Sequence, residues 1–300
     1  PNSHLGKMLL DGYAPAGEPM PIAIVIGADQ PSHLSSTATF RIGGDEVELA
    51  GGLGERAVEL VKCETSDLYV PASAEIVVEA EIYPDKIAQE GPYGEYPGYR
   101  SGEMGNSVCA RVTAITHRKD PIFTIDTTGF MDSSAVTTSI SGAIAIRRRL
   151  ERYDIPVSEV YIPPESGVHM AIVSVRRGGP DIAQKVVEIL TARRALMSKI
   201  IVVDEDVDVF NMSAVIHAFS TKCHPERGTH VHTYEGRANA LTPAYSQEER
   251  VNQLGASVAF DATWPPDWPV GSTPIRATLD SMYSQDVQDR VNARWNKLGL

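Results

Sequence analysis

Lys199-Ile-Ile-Val-Val-Asp-Glu-Asp-Val-Asp-Val-Phe-Asn211 places four consecutive branched apolar residues before a run of acids. An unbroken apolar run suits a strand covered on both faces, because a half-solvated strand alternates. The acids then fall at the strand's C-terminal end, where α/β sites usually lie. Working outward, 157–162 and 169–175 read as strands, while 182–197 and 214–220 read as helices. A long helix over 133–153 ends in Arg147-Arg148-Arg149. Strands alternating with helices predict an α/β unit of three layers with a mostly parallel sheet. The Asp-x-Asp-x-Asp run lacks the Gly and terminal Glu of a calcium loop, so its acids are expected to cap the next helix.

The first half has a different texture. Residues 3–12 show helical spacing behind Ser3 as N-cap. Residues 20–27 form a continuous apolar run, read as a buried strand, and 28–39 are loop-like. A short helix is predicted over 46–53 and strand character over 57–61. Over 67–83 the pattern alternates, broken at Pro71. Residues 108–117 and 121–127 suggest a hairpin around Arg118-Lys119-Asp120. The whole is α/β in class (α+β overall), with a boundary near 128: a β-rich unit over 1–128 and an α/β unit over 129–300. From 263 the chain is rich in Trp and Pro, then helical over 286–298. This tail is expected to pack on a neighbouring copy.

Composition narrows the partners. A net charge of −12 over 300 residues disfavours nucleic acid and anionic membrane, which both want a basic face. No apolar stretch reaches transmembrane length, and no secretory signal opens the sequence. Three scattered cysteines, Cys63, Cys109 and Cys223, suit reduced thiols and a cytoplasmic setting.

The stretch that carries chemistry is Glu90-Gly-Pro-Tyr-Gly-Glu95, continued by Tyr96-Pro97-Gly98-Tyr99. Pro92 and the glycines exclude a regular helix and favour a turn. Two carboxylates on a rigid turn can divide proton work between them. Taken alone, the same spacing also fits a surface turn with two solvated acids. His4 and Glu46 suit a hard divalent ion such as Mn²⁺, and the hydroxyls of Ser35, Ser36 and Thr37 suit a phosphate or a monovalent ion. Each also reads as an ordinary surface residue. His224, His230 and His232 with Cys223 lack the spacing of a zinc framework, and no GxSxG, phosphate loop or GxGxxG occurs.

Several of these segments together resemble the UbiD family of decarboxylases. The matching stretches are Val61-Lys-Cys-Glu-Thr-Ser-Asp-Leu-Tyr-Val-Pro-Ala-Ser-Ala-Glu-Ile-Val77, the acidic turn with Gly98-Tyr99, Ile201-Val-Val-Asp-Glu-Asp-Val-Asp208, and Ala23-Ile-Val-Ile-Gly27 preceded by Ser3-His4. The resemblance implies a split-barrel-like flavin-binding domain followed by an α/β domain. It also implies prenylated FMN, supplied by a flavin prenyltransferase, with Mn²⁺ and K⁺. By the same resemblance Glu95 donates the proton that replaces departing CO₂, and Glu90 pairs with an arginine that orients the substrate carboxylate. His4 and Glu46 correspond to metal ligands, Ser35, Ser36 and Thr37 to cofactor and K⁺ contacts, and Lys199, Arg193 or Arg194 to the phosphate contact.

The family's Asn-x-Gly-x-x-Arg segment lies upstream of the metal-binding His and is not found here. The expectation is therefore a truncated, inactive form of a reversible, non-oxidative decarboxylase for an aromatic or α,β-unsaturated acid. Dimers or hexamers are implied. The alternative is a non-catalytic flavin-binding or assembly module. No side chain supplies an electron sink for decarboxylation, so the chemistry requires a cofactor.

Overall fold

The structure, a computed structural model, describes residues 4–38, 43–100, 105–176, 178–192, 197–239, 241–269 and 271–298. Ser3, Thr39, Arg193 and Arg194 lie outside the described residues. The chain begins with a helical run, α1 (His4–Lys7), a π-helical segment Met8–Tyr13 and α2 (Ala14–Ala16). Gly17 ends it at φ 68°, a left-handed cap that favours glycine. Leu9 buries against Met20 and Ile82.

Strand β1 (Met20–Ile26) is less enclosed than its apolar run suggests. Only Met20 is fully buried and Ile24 is 48% exposed, because β1 is an edge strand in a sheet of order β1-β4-β5. The segment read as loop after it contains a helix, α3 (Gln30–Ser36). The Asp29 carboxylate caps it by accepting from Ser32 N–H at 2.9 Å, with Pro31 in the first turn. Asp followed by Pro is a helix-start signal that the surrounding serines mask. Helix α4 (Glu46–Leu53) is capped by Asp45, and β2 (Leu60–Lys62) and β3 (Tyr69–Pro71) form a small hairpin.

Strand β4 (Ile76–Gln89) runs antiparallel to β5 (Asn106–His117) from end to end, with a break in pairing between Tyr83 and Ile87. The expected hairpin between 108–117 and 121–127 is therefore corrected: β5 pairs with β4, and 121–128 forms no strand. The cause is local. Arg118 donates to the Ala72 and Ala74 carbonyls, and Ile122 N–H donates to Glu75 Oε2 at 3.1 Å. These bonds draw the chain across the end of β4 instead of back along β5. Among the described residues the β-rich half is an open sheet with a hairpin beside it, not a closed barrel.

Glu79, in the middle of β4, is 1% exposed. Its oxygens accept from Glu64 N–H and Thr65 N–H, both at 2.7 Å, and from Thr65 Oγ1 at 2.5 Å. Burial pushes its pKa up, but these hydrogen bonds outweigh burial and hold the carboxyl below the ordinary range. The charge thereby fastens the β2–β3 loop to the sheet.

In the second half come α5 (Ser133–Glu151), β6 (Val157–Tyr161), β7 (Met170–Val175), α6 (Ile182–Thr191), β8 (Lys199–Asp204) and α7 (Met212–Lys222). They are followed by β9 (Thr229–Tyr234), α8 (Gln247–Asn252), β10 (Gly255–Ala262), α9 (Leu279–Met282) and α10 (Gln285–Leu298). The sheet order is β6-β7-β8-β10-β9. Strands β7, β8 and β10 run parallel, whereas the edges β6 and β9 are antiparallel. The sheet is thus mixed, with a parallel centre, rather than mostly parallel.

Side-chain alternation sorts the layers. Ala171, Val173, Ile200 and Val202 face α5 and α6, while Ile172, Ile201 and Val203 face α7. Strand β10 was not foreseen because it is built of small residues. A Cβ on Gly255 would lie 2.9 Å from the Tyr245 hydroxyl and 3.0 Å from Tyr234, so close packing demands the smallness that hides the strand.

The acids after β8 do not cap α7. Asn211 does, accepting from Ser213 and Ala214 N–H. Asp204 instead takes the buried Lys222 ammonium at 2.9 Å and Trp264 N–H at 3.1 Å, tying the start of the tail to the sheet.

Two stability effects follow. Glu79→Ala removes the partner of two part-buried N–H donors and of the Thr65 hydroxyl and should cost about 2–3 kcal/mol in chemical denaturation. A loss within about 0.5 kcal/mol, the usual range for surface changes, would show that the clamp is idle. Because the folded carboxyl titrates below the ordinary 4.5, its contribution is present above that pH and is lost as pH falls through the folded value. The alanine variant should lack that part of the acid slope. Leu150→Ala, at a site with 0% exposure, should cost about 2–5 kcal/mol by the same assay.

Candidate active site

The acidic turn leaves β4 at Gln89 and is held by bonds within it and around it. Glu95 N–H donates to the Tyr99 carbonyl at 3.0 Å, and Gly98 N–H donates to the Glu95 carbonyl at 2.9 Å. Gly94 and Arg100 form an antiparallel bridge, and Gly98 sits at φ 88°, which suits glycine. The turn lies tight against the segment before α5. A Cβ on Gly94 would stand 2.8 Å from Thr128 Oγ1, and one on Gly98 would stand 3.3 Å from Phe130 Cα.

Within this frame the two acids meet one phenol. Tyr93 OH is 3.5 Å from Glu90 Oε1. Burial, and then the charges of Glu90 and Glu95, push the Tyr93 pKa up. Ser107 on β5 donates to Glu90 Oε2 at 2.7 Å, so both Glu90 oxygens have donors. Glu90 itself is exposed and Glu95 is half-buried. The arrangement presents one carboxyl to solvent and shelters the other, on a backbone that cannot slide.

The turn also reaches the second sheet. The Tyr96 ring stacks on His169 at 6.0 Å, and its hydroxyl accepts from Asn239 Nδ2 at 2.8 Å. His169 is buried, with Nδ1 2.6 Å from the Gly167 carbonyl. A carbonyl only accepts, so Nδ1 carries the proton and Nε2 is the bare nitrogen. Burial first, then the Lys199 charge, lower the His169 pKa against the raising effect of the Gly167 carbonyl. The ring is therefore neutral at pH 7. Tyr96 belongs to the acidic stretch by sequence, whereas Ser107, His169 and Asn239 carry no local signal of a site. Register brings Ser107 to Glu90, and the fold brings the others together.

The remaining candidates stand apart from this pair or beside it. His4 opens α1 and Glu46 opens α4, both half-buried. No group of three or more His, Cys, Asp or Glu side chains suited to a metal occurs among the described residues. Ser35, Ser36 and Thr37 occupy the end of α3 rather than a loop. Their hydroxyls donate to the carbonyls of Pro31, His33 and Leu34. Thr37 Oγ1 also bonds Ser141 of α5 at 3.2 Å, which links the hydroxyl-bearing helix to the second half. Lys199 begins β8, donating to Ser198 Oγ at 3.1 Å, at the strand end nearest His169. His230 and His232 lie on β9 and assemble no metal group.

Both halves of the chain resemble known proteins. Residues 2–130 match the family model UbiD, described as the 3-octaprenyl-4-hydroxybenzoate carboxy-lyase Rift-related domain, and residues 136–262 match UbiD_C, its C-terminal domain. Among solved structures, the UbiD-class enzyme HmfF from Pelotomaculum thermopropionicum in complex with FMN is 28% identical with a TM-score of 0.80, covering 95% of this chain and 63% of the other. An evolved dimeric form of HmfF in complex with prFMN is 26% identical with a TM-score of 0.73, covering 96% and 61%. Vanillic acid decarboxylase of Sedimentibacter hydroxybenzoicus in open form is 25% identical with a TM-score of 0.75, covering 99% and 63%. The chain thus spans 61–63% of the length of these relatives. With consecutive family matches over both halves and a fold shared with UbiD-class enzymes, the chain belongs to the UbiD family.

Proposed function

We propose that this protein takes part in the reversible, non-oxidative decarboxylation of an aromatic or α,β-unsaturated carboxylic acid with prenylated FMN. The carrying observation is the convergence of Glu90 and Glu95 on Tyr93 in a turn clamped from two sides. Relatives with this fold hold FMN or prFMN, and one is a vanillic acid decarboxylase. In this reading 1–128 is the flavin-binding domain and 129–300 the C-terminal domain.

The residues around the turn suit a flat ring system. Tyr99 is 65% and Phe130 is 70% exposed, and Phe130 borders the turn at Gly98. Open aromatic surface beside a few polar groups is what a flavin ring and an unsaturated acid both require. Bound there, prenylated FMN supplies the electron sink that no side chain provides.

The chain's own part is proton handling and orientation. Loss of CO₂ breaks the bond to the carboxyl carbon and leaves its electron pair on the neighbouring carbon. A proton must then reach that carbon, and the half-buried Glu95 is the donor. Glu90, fixed by Ser107 and Tyr93, is an acceptor held ready for a cation that fastens the substrate carboxylate. Glu90 is exposed and Glu95 is half-buried, so the more sheltered carboxyl is the one assigned to pass its proton to the substrate carbon.

The ions fit less evenly. His4 and Glu46 are two donors, fewer than Mn²⁺ takes, and no step is assigned to the metal. At the end of α3 the hydroxyl oxygens of Ser35, Ser36 and Thr37 lie beside carbonyls at a helix C-terminus, an environment that favours a cation such as K⁺. Lys199, which begins β8 and whose N–H donates to the His169 carbonyl, is assigned the cofactor-phosphate contact in this reading. Helix α10 carries Val287, Val291 and Trp295 on one stripe, which suits a homo-oligomer. A flavin prenyltransferase supplies the cofactor in this reading. The three free cysteines are consistent with a cytoplasmic setting, and no helix among the described residues is long and apolar enough to cross a membrane.

Glu95→Gln should reduce CO₂ release from a panel of aromatic and unsaturated acids at least about 100-fold, the scale of a lost general acid. Flavin absorbance of the loaded protein should stay unchanged. Full turnover in that variant would sink the assignment. Gly94→Ala forces the turn off Thr128 and should lower kcat about 10-fold, with Thr128→Ala in the double variant restoring part of the loss.

A further inference from the structure

We propose that the second sheet positions the acidic turn through Tyr96, with His169 and Asn239 as the positioning residues. The inference rests on the reading of Glu95 as proton donor, because Tyr96 is its immediate neighbour.

Three contacts form the mount. The Tyr96 hydroxyl accepts from Asn239 Nδ2 at 2.8 Å, and Asn239 is itself fixed, since its Oδ1 accepts from Leu241 N–H at 3.1 Å. The Tyr96 ring lies on the His169 imidazole with an interplanar angle of 26°. Pro97 rests on Gly167, where a Cβ would come within 3.0 Å of Pro97 Cα. Tyr96 also packs against the main core cluster of the second sheet. All three contacts fall on residues 96 and 97, directly after Glu95.

The backbone makes this consequential. The Glu95 carbonyl accepts from Gly98 N–H and the Glu95 N–H donates to Tyr99, so residues 95–99 form one closed unit. Whatever moves Tyr96 moves Glu95 with it. A shift of order 1 Å at a reacting group is enough to cost about 100-fold in rate.

His169 shows a second sign that its place is not chosen for stability. Its Nε2 is buried and has no hydrogen-bond partner among the described residues, an arrangement that costs free energy compared with an apolar side chain of similar size. What the ring does offer is a flat surface for Tyr96, held at a fixed angle by the Nδ1–H bond to the Gly167 carbonyl.

The test uses the full chain loaded with cofactor and compares Tyr96→Phe, Asn239→Ala, His169→Leu and Glu95→Gln. Amide hydrogen exchange at Glu95 and Gly98 and steady-state decarboxylation are both measured. Tyr96→Phe and Asn239→Ala should speed exchange at those two amides about 10-fold, the loss of one hydrogen bond, and leave β5 amides unchanged. They should lower kcat about 10-fold with KM within about 2-fold. His169→Leu should lower kcat similarly while its unfolding midpoint stays level or rises. That pattern separates positioning from a structural role, in which rate and stability fall together.

Unchanged exchange at Glu95 and Gly98 in both Tyr96→Phe and Asn239→Ala overturns the mount. So does faster exchange with wild-type kcat, or a His169→Leu midpoint that falls in step with its rate. If Glu95→Gln turns over normally, the reading of Glu95 fails instead, and the exchange data still judge the mount by themselves.

Discussion

The ladder between β4 and β5 is the constraint on which the first half depends. Strand β4 is 14 residues long and pairs with β5 over residues 76–83 and again over 87–89, so it fixes three things at once. Its middle holds the buried Glu79 carboxylate that fastens the β2–β3 loop. Its end delivers the chain into the acidic turn at Glu90. Its register puts Ser107 opposite Ala88, close enough for the serine hydroxyl to reach Glu90. The ladder is also irregular. One break lies between Glu79 and Ala80 and leaves Thr113 unpaired on β5, where its hydroxyl meets Thr65 at 2.7 Å. A bulge of this kind re-aims a side chain without ending the strand.

The turn that follows belongs to both halves of the molecule. Its backbone is closed by its own hydrogen bonds, its glycines lie against Thr128 and Phe130, and its Tyr96 is seated beside His169. A carboxyl pair placed on one element alone would follow the fluctuations of that element. A turn gripped from two sides keeps its geometry only while both sides hold it, which couples proton handling to the fit between the halves. Two buried polar side chains, His169 and Asn239, hold Tyr96 of the turn, and the buried Glu79 carboxylate is matched by three donors.

Charge follows the same economy. Many of the acids are exposed, and others serve the fold as helix caps, backbone acceptors or ion-pair partners. Asp204 is the clearest case: burial raises its pKa first, while Lys222 and Trp264 N–H act to lower it. The motif that looked like a helix cap serves instead as an anchor for the tail. Local spacing could not distinguish these roles, since both need acids at the end of a strand.

Local pattern in the sequence determined the α/β alternation from 133 to 220, the helix over 46–53, the break at Pro71 and the existence of a rigid acidic turn. Each follows from side-chain periodicity or from the fixed φ of proline, properties that act within a few residues. The motifs also carried the family. Only the tertiary structure decided the partner of β5, the place of β10 and the company of the acids. Strand pairing depends on bonds such as Ile122 to Glu75, 47 residues apart, which no local pattern encodes. The meeting of Tyr96 with Asn239 spans 143 residues. Neither residue has any chemical mark of function until packing brings the hydroxyl and the carboxamide within hydrogen-bonding distance.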